Sequence, residues 1–220
     1  MESTHVVASA AIEQMPPEFR FQPGDAELIR RYRDILLPLE GAFVNGFYET
    51  VYAHPPTAAI FRDGERPERE VTLGRWWRRT VEGPLDDDYF AWMAMVGLVH
   101  VVRGVTNPMM LAMADYIVRF TFEYLPHIAA AAAASTGGAG AAAPMEEALE
   151  VAAANADVFE LSSAFFRLSA TVGAVIAHGY DEAVVSAMYN VAGMQKSLLK
   201  RLRDQEVASA LAAARAELRA

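Results

Sequence analysis

The sequence predicts an all-α fold. Period-2 alternation is not sustained along the chain, and no Asn-Gly or Asp-Gly turn joins β-branched runs. Apolar residues instead recur at helical spacing, and Ala, Leu, Glu, Arg and Met dominate. With 220 residues and 53% hydrophobic side chains, the chain is long and apolar enough for one large core.

Each helix has local start and stop signals. Residues 9–14 suit a short helix, stopped by Pro16 and Pro17. Asp25 then reads as an N-cap, and Ile29, Tyr32, Leu36 and Leu37 form the apolar stripe that follows. Pro38 breaks or kinks that helix at the preceding residue. A helix over 39–52 places Phe43, Phe47 and Val51 on one face and ends at Pro55-Pro56. A short helical turn at 57–61 precedes a loop at Asp63-Gly64. Pro67 suits a first helical turn, so the next helix is expected over 67–82, stopped by Gly83-Pro84. Trp76 and Trp77 are adjacent on it, and only one of them is expected to point inward. Asp86, Asp87 and Asp88 give the following helix an acidic start that suits its dipole. That helix runs to Arg103 and ends at Gly104. Asn107-Pro108 opens the next, expected to stop near Leu125 before Pro126. Residues 129–143, ten of them Ala and three Gly, read as a flexible inserted loop. A long helical region follows from Met145, with weak points at Gly179 and Gly193.

Composition excludes several chemistries. The chain has no cysteine, which removes disulfides, thiolate metal sites and thiol nucleophiles. Its net charge of −9 makes it a poor binder of phosphate backbones, so no nucleic-acid partner is expected. Phosphate-binding glycine loops and HExxH metal motifs are missing. The N-terminus lacks the basic and apolar regions of a signal peptide. No run of 18 apolar residues is free of charge, Pro or Gly. A soluble, cytoplasmic protein with no membrane partner is the expectation.

One of the five histidines stands apart. His100 lies near the end of a helix whose other positions are almost all apolar, with Val96 and Gly97 one turn back and Met93 two turns back. Two readings stay open from the residue alone. One is a core histidine satisfied by a carbonyl. The other is an iron ligand that projects from a rigid helix into a dry slot, where Gly97 leaves room for a flat macrocycle.

The run Val96-Gly97-Leu98-Val99-His100-Val101-Val102-Arg103-Gly104-Val105-Thr106-Asn107-Pro108 closely resembles the proximal-helix signature of globin-coupled sensors and protoglobins. Upstream, Phe47-Tyr48, His54-Pro55 and Ile60-Phe61 resemble the family's B helix and the turn after it. Arg75-Trp76-Trp77, with Gly83, Asp87 and Tyr89, resembles its E helix and the corner beyond. Phe166-Arg167-Leu168, Val175-Ile176 and Tyr180 resemble its last helix. The resemblance implies a globin-like domain over 24–180, after an extension at 1–23 and before a helical extension at 181–220.

It also implies roles. His100 falls on the proximal ligand of haem iron, with haem b (iron protoporphyrin IX) as the cofactor. Tyr48 falls on a distal tyrosine that hydrogen-bonds bound O2. Phe47 falls on an aromatic packed against the haem, and Thr72 on a position facing the distal pocket. Val96 and Gly97 flank the proximal face. Arg103, one turn past His100, either reaches a haem propionate or stays exposed in water.

The function so implied is reversible binding of O2, and of CO and NO, by a gas sensor or carrier. The resemblance also implies a homodimer through the last two helices. Two alternatives remain. One is a haem-free globin-like interaction module. The other is a haem enzyme such as an NO dioxygenase, for which neither a reductase domain nor a distal histidine is present. Leu198, Leu199 and Leu202, with Lys196, Lys200, Arg201 and Arg203, make the C-terminal segment amphipathic, which suits a dimer contact, a cover for the core or, as the least expected use, a membrane surface.

Overall fold

The computed structural model describes residues 2–135, 145–193 and 195–217. Among them there is no strand, and the fold is all-α and globin-like. They form two compact units, Glu2–Tyr180 and Asp181–Ala220.

In the first unit, α1 spans Thr4–Glu13, α2 Pro23–Arg31, α3 Arg33–Leu36, α4 Glu40–Ala53, α5 Pro55–Ala58, α6 Arg66–Glu82, α7 Asp87–Arg103 and α8 Asn107–Ser135. The next helix, α9, covers Met145–Ala192. α1 starts earlier than its sequence suggests because Ser3 caps it, accepting from the Val6 N–H at 3.3 Å. It packs along α7, burying Val7, Ala8 and Ala11. Asp25 is not the N-cap of α2. Gln22 holds that place, and Asp25 sits at the third helical position, accepting from the Gln22 N–H at 2.8 Å in a capping box. The helix then breaks at Tyr32, and a 3₁₀ turn at Leu37–Leu39 carries Pro38 into α4.

Aromatic side chains fill the core. The Phe43 ring stacks on Trp77 at 4.5 Å between centroids and meets Phe120 edge-on at 5.1 Å. Trp76 and Trp77 are both buried, contrary to the expectation that one must face out. Trp77 stacks toward Phe165 and donates its indole N–H to the Leu36 carbonyl at 3.1 Å. Trp76 lines a cavity on the neighbouring side of α6. A helix covered on two sides has no single inward face.

Two features late in the chain also differ from the sequence reading. The helix opened by Asn107 passes through Pro126 to Ser135, so residues 129–135 are helical rather than loop. The alanine run has the highest helix propensity, which offsets the one hydrogen bond that proline removes. The rest of the expected loop, 136–143, lies outside the described residues. Gly179 does not weaken α9. It sits against α7, where an added Cβ would meet the Ala94 carbonyl oxygen at 2.5 Å.

Asp25 also receives a bidentate ion pair from Arg167 of α9, with Nε at 3.0 Å from Oδ2. This ties α2 to the core. The segment Phe159–Ala192 is long and apolar enough to cross a membrane, yet 61% of its most apolar window is buried, as in a core helix. In the second unit Gly193 turns the chain with φ +62° and α10 follows over Lys196–Glu217. Leu202, Val207 and Leu211 of α10 are exposed.

Candidate functional site

A cavity of about 440 Å³ lies within the first unit. α7 forms one wall through Val96, Val99 and His100. α4 contributes Phe47 and Tyr48, and α6 contributes Thr72, Leu73 and Trp76. Met93 and Met95 of α7, with Met109, Met110 and Met113 of α8, complete a soft apolar lining. Its size falls within the range of small-molecule and cofactor pockets.

Local sequence sets the α7 wall. Asp86 caps the helix by accepting from the Tyr89 N–H at 3.0 Å. Gly104 ends it in the left-handed conformation, φ +71°, with the Val105 N–H donating to the His100 carbonyl at 3.0 Å. His100 thus sits on the last ordered turn. Its imidazole is mostly buried, and burial lowers its pKa, so it is neutral near pH 7. The Nδ1 atom is buried with no hydrogen-bond partner, and no hydrogen bond engages either ring nitrogen among the described residues. A core histidine satisfied by a carbonyl is therefore not what stands here.

Gly97 has a different part from the one its spacing suggests. It does not line the cavity. An added Cβ would collide with the backbone of α9, at 2.7 Å from the Tyr180 nitrogen and 2.9 Å from the Gly179 carbonyl carbon. Gly97 and Gly179 let α7 and α9 cross backbone to backbone. That crossing fixes the wall that carries His100 rather than making room beside the imidazole.

The opposite wall is aromatic. Tyr48 is 5% exposed and packs against Phe47 at 5.3 Å and Phe61 at 6.0 Å between ring centroids. Its hydroxyl makes no hydrogen bond to protein among the described residues, and burial raises its pKa, so it stays protonated as a donor. Tyr116, by contrast, donates to the Phe43 carbonyl at 3.1 Å and is spent. Thr72 lines the cavity from an exposed position, and its hydroxyl donates to the Glu68 carbonyl at 3.0 Å.

Charge gathers where the cavity opens. Arg69 and Arg103 both line it, and both bind Glu65. Arg103 is half-buried and paired, neither exposed in water nor free for an acidic ligand. Its two terminal nitrogens grip the two Glu65 oxygens, one contact at 2.9 Å. Arg69 adds an Nε contact at 2.8 Å, and the Arg62 N–H donates at 3.0 Å. These donors, Arg103 foremost, hold the Glu65 carboxyl down at about 2. Sequence reading missed Glu65 and Arg69. The spacing of this pair, one helical turn, is a legible signal; the link to Arg103 has none.

These residues fit a haem. The walls are apolar and aromatic, the imidazole is neutral and unbonded, and a protonated phenol without a partner lines the same space. Among the described residues no cluster of His, Asp and Glu suited to a bare metal ion exists. A comparison with curated proteins returns no match. The family model described as Protoglobin matches residues 9–183, which places both walls inside the match. The chain therefore belongs to the protoglobin family, whose members are haem-binding globins.

Proposed function

We propose that this protein binds O2 reversibly, and CO and NO, at haem b held in the cavity, as a gas sensor or carrier. His100 is the residue that would hold the iron, and Tyr48 the one that would face the bound gas. When bound, ferrous haem supplies an open coordination position for a diatomic molecule. The observation that carries the reading is the pairing, in one apolar cavity, of an unbonded neutral imidazole and an unbonded phenol.

Each group does its part without rearrangement. Neutral His100 offers a lone pair, because burial already disfavours the imidazolium. The α7–α9 crossing at Gly97 holds the ring's helix still. The Tyr48 hydroxyl donates to a ligand that gains partial negative charge on binding, which bare apolar walls would leave unsolvated. Phe47, Val96 and Trp76 exclude water. Thr72 stands at the opening, with its hydroxyl turned to its own helix. The same reading includes a soluble cytoplasmic homodimer through α9 and α10, supported by exposed apolar side chains such as Phe159, Val191 and Leu211.

Absorbance spectroscopy tests the reading. The purified protein, reconstituted with haem, is expected to give a Soret band that shifts on reduction and on adding CO. Absence of any Soret band would favour the haem-free module instead. Repeated turnover of NO and O2 to nitrate, with an added reductant to return the haem to the ferrous state, would favour the enzyme.

A further inference from the structure

Helices α6 and α7 face one another across the cavity and scarcely touch along their lengths. The space between them opens to solvent. Thr72 on α6, with Met95 and Val99 on α7, line the cavity and are exposed. The slit is closed at its two ends by different means. At the corner where α6 ends and α7 begins, the Thr80 and Tyr89 hydroxyls bond at 3.0 Å, both buried, and Arg79 pairs with Asp86 at 3.0 Å. The chain itself joins the helices there. At the far end nothing covalent spans the gap. Glu65, at the start of α6, reaches Arg103, at the end of α7, across 38 residues of sequence.

We infer that the Glu65–Arg103 ion pair is a strap across the open end of the slit, which must part for a flat cofactor to enter or leave. The post it fastens to is firm. The first turn of α6 is tied to α4 by Arg66, which donates to Asn45 at 3.1 Å and lies over the Tyr52 ring. Glu65 is itself braced by Arg69 and by the Arg62 N–H. Both terminal nitrogens of Arg103 are committed to one carboxylate, whose side chain is 8% exposed. A bidentate pair of this kind holds one geometry, unlike a flexible surface contact. Arg103 lies one turn beyond His100, so the strap also pins the helix end that carries the imidazole. A flat ligand of porphyrin width passes only when the α7 end swings away from Glu65.

The strap rests on the haem reading only for what passes it. An alternative use of the same residues makes the opposite forecast. If Arg103 is kept to bind the ligand's own carboxylates, Glu65 is a competitor, and its removal tightens retention.

The test is haem release from the reconstituted protein to excess high-affinity haem acceptor, followed by absorbance. E65Q and R103Q should each speed release, by about tenfold. The double variant should be no faster than the faster single one, since one contact is lost in all three. The conservative R103K protein, which keeps a charged donor facing Glu65, should release haem more slowly than R103Q. Slower release from E65Q, multiplying effects in the double variant, or unchanged rates would each overturn the strap. Circular dichroism and urea midpoints report whether each variant folds, and R103K keeps the test alive should R103Q or E65Q fail to fold. If the native chain takes up no haem, the proposed function falls separately. Entry of neutral, planar Nile red then reads the strap: faster entry into E65Q supports it, and equal entry overturns it.

Discussion

The two walls of the cavity are built in different ways. The α7 wall comes from one helix with caps at both ends, and its imidazole is placed by local sequence and one helix crossing. The opposite wall is assembled from α4 and α6, with ring contacts from the segment that carries Phe61. On the proposed function, the first wall would hold the haem and the second would set how long a bound gas stays. Changes to the α7 wall should therefore act on stability and cofactor retention, and changes to the α4–α6 wall on ligand kinetics.

The largest effect on that contrast is expected from Gly97→Ala. The new methyl would lie inside the α9 backbone, so the crossing must open, at roughly 1–3 kcal/mol or more. Thermal unfolding should occur several degrees lower, and haem should be lost faster. An unchanged melting temperature would mean the two helices can part freely.

Tyr48→Phe should do the reverse. It leaves the melting temperature almost unchanged, because the hydroxyl has no protein partner to abandon. O2 dissociation, measured by flash photolysis or stopped flow, should quicken by roughly tenfold or more, as loss of one hydrogen bond to a partly charged acceptor implies. Thr72→Val tests the same wall at its edge. Its hydroxyl already serves Glu68, so O2 dissociation should change by less than about twofold. An effect equal to that of Tyr48→Phe would mean that Thr72 turns inward when ligand binds.

Acid gives a smaller, signed prediction. The Glu65 carboxyl is held at about 2, below its ordinary value of 4.5, mainly by Arg103. A carboxyl with a depressed folded value stabilises the protein fully above the unfolded value and loses that contribution as pH falls through the folded one. The stability gap between the native chain and E65Q, from urea unfolding, should be level from pH 8 to about 5. It should shrink as pH falls from about 4.5 toward 2. A gap that already closes near pH 6 would show that another group carries it.

The two walls also differ in how far they can be read from sequence. The α7 wall was legible because its causes are local: an aspartate cap, an apolar helix, one histidine and a left-handed glycine. The opposite wall was legible only where the family pattern supplied it, at Phe47, Tyr48 and Thr72. Gly97 was read as room for a flat macrocycle, but the chain that comes close there is α9, which no spacing reveals. Burial of both Trp76 and Trp77 depends on α6 being covered on two sides. Gly179 looked like a helix breaker, and only the presence of α7 against it explains a glycine there. The Glu65–Arg103 link joins residues that no helical period relates, so it emerges only from the fold.

The account depends most on His100 as the iron ligand. Spectra of the native protein and of His100→Ala, each reconstituted with haem and recorded in ferric, ferrous and CO-bound forms, test this directly. The native protein should give the spectra of a histidine-ligated haem, and the variant should lose that signature or fail to retain haem. Identical spectra from the two proteins would contradict the account.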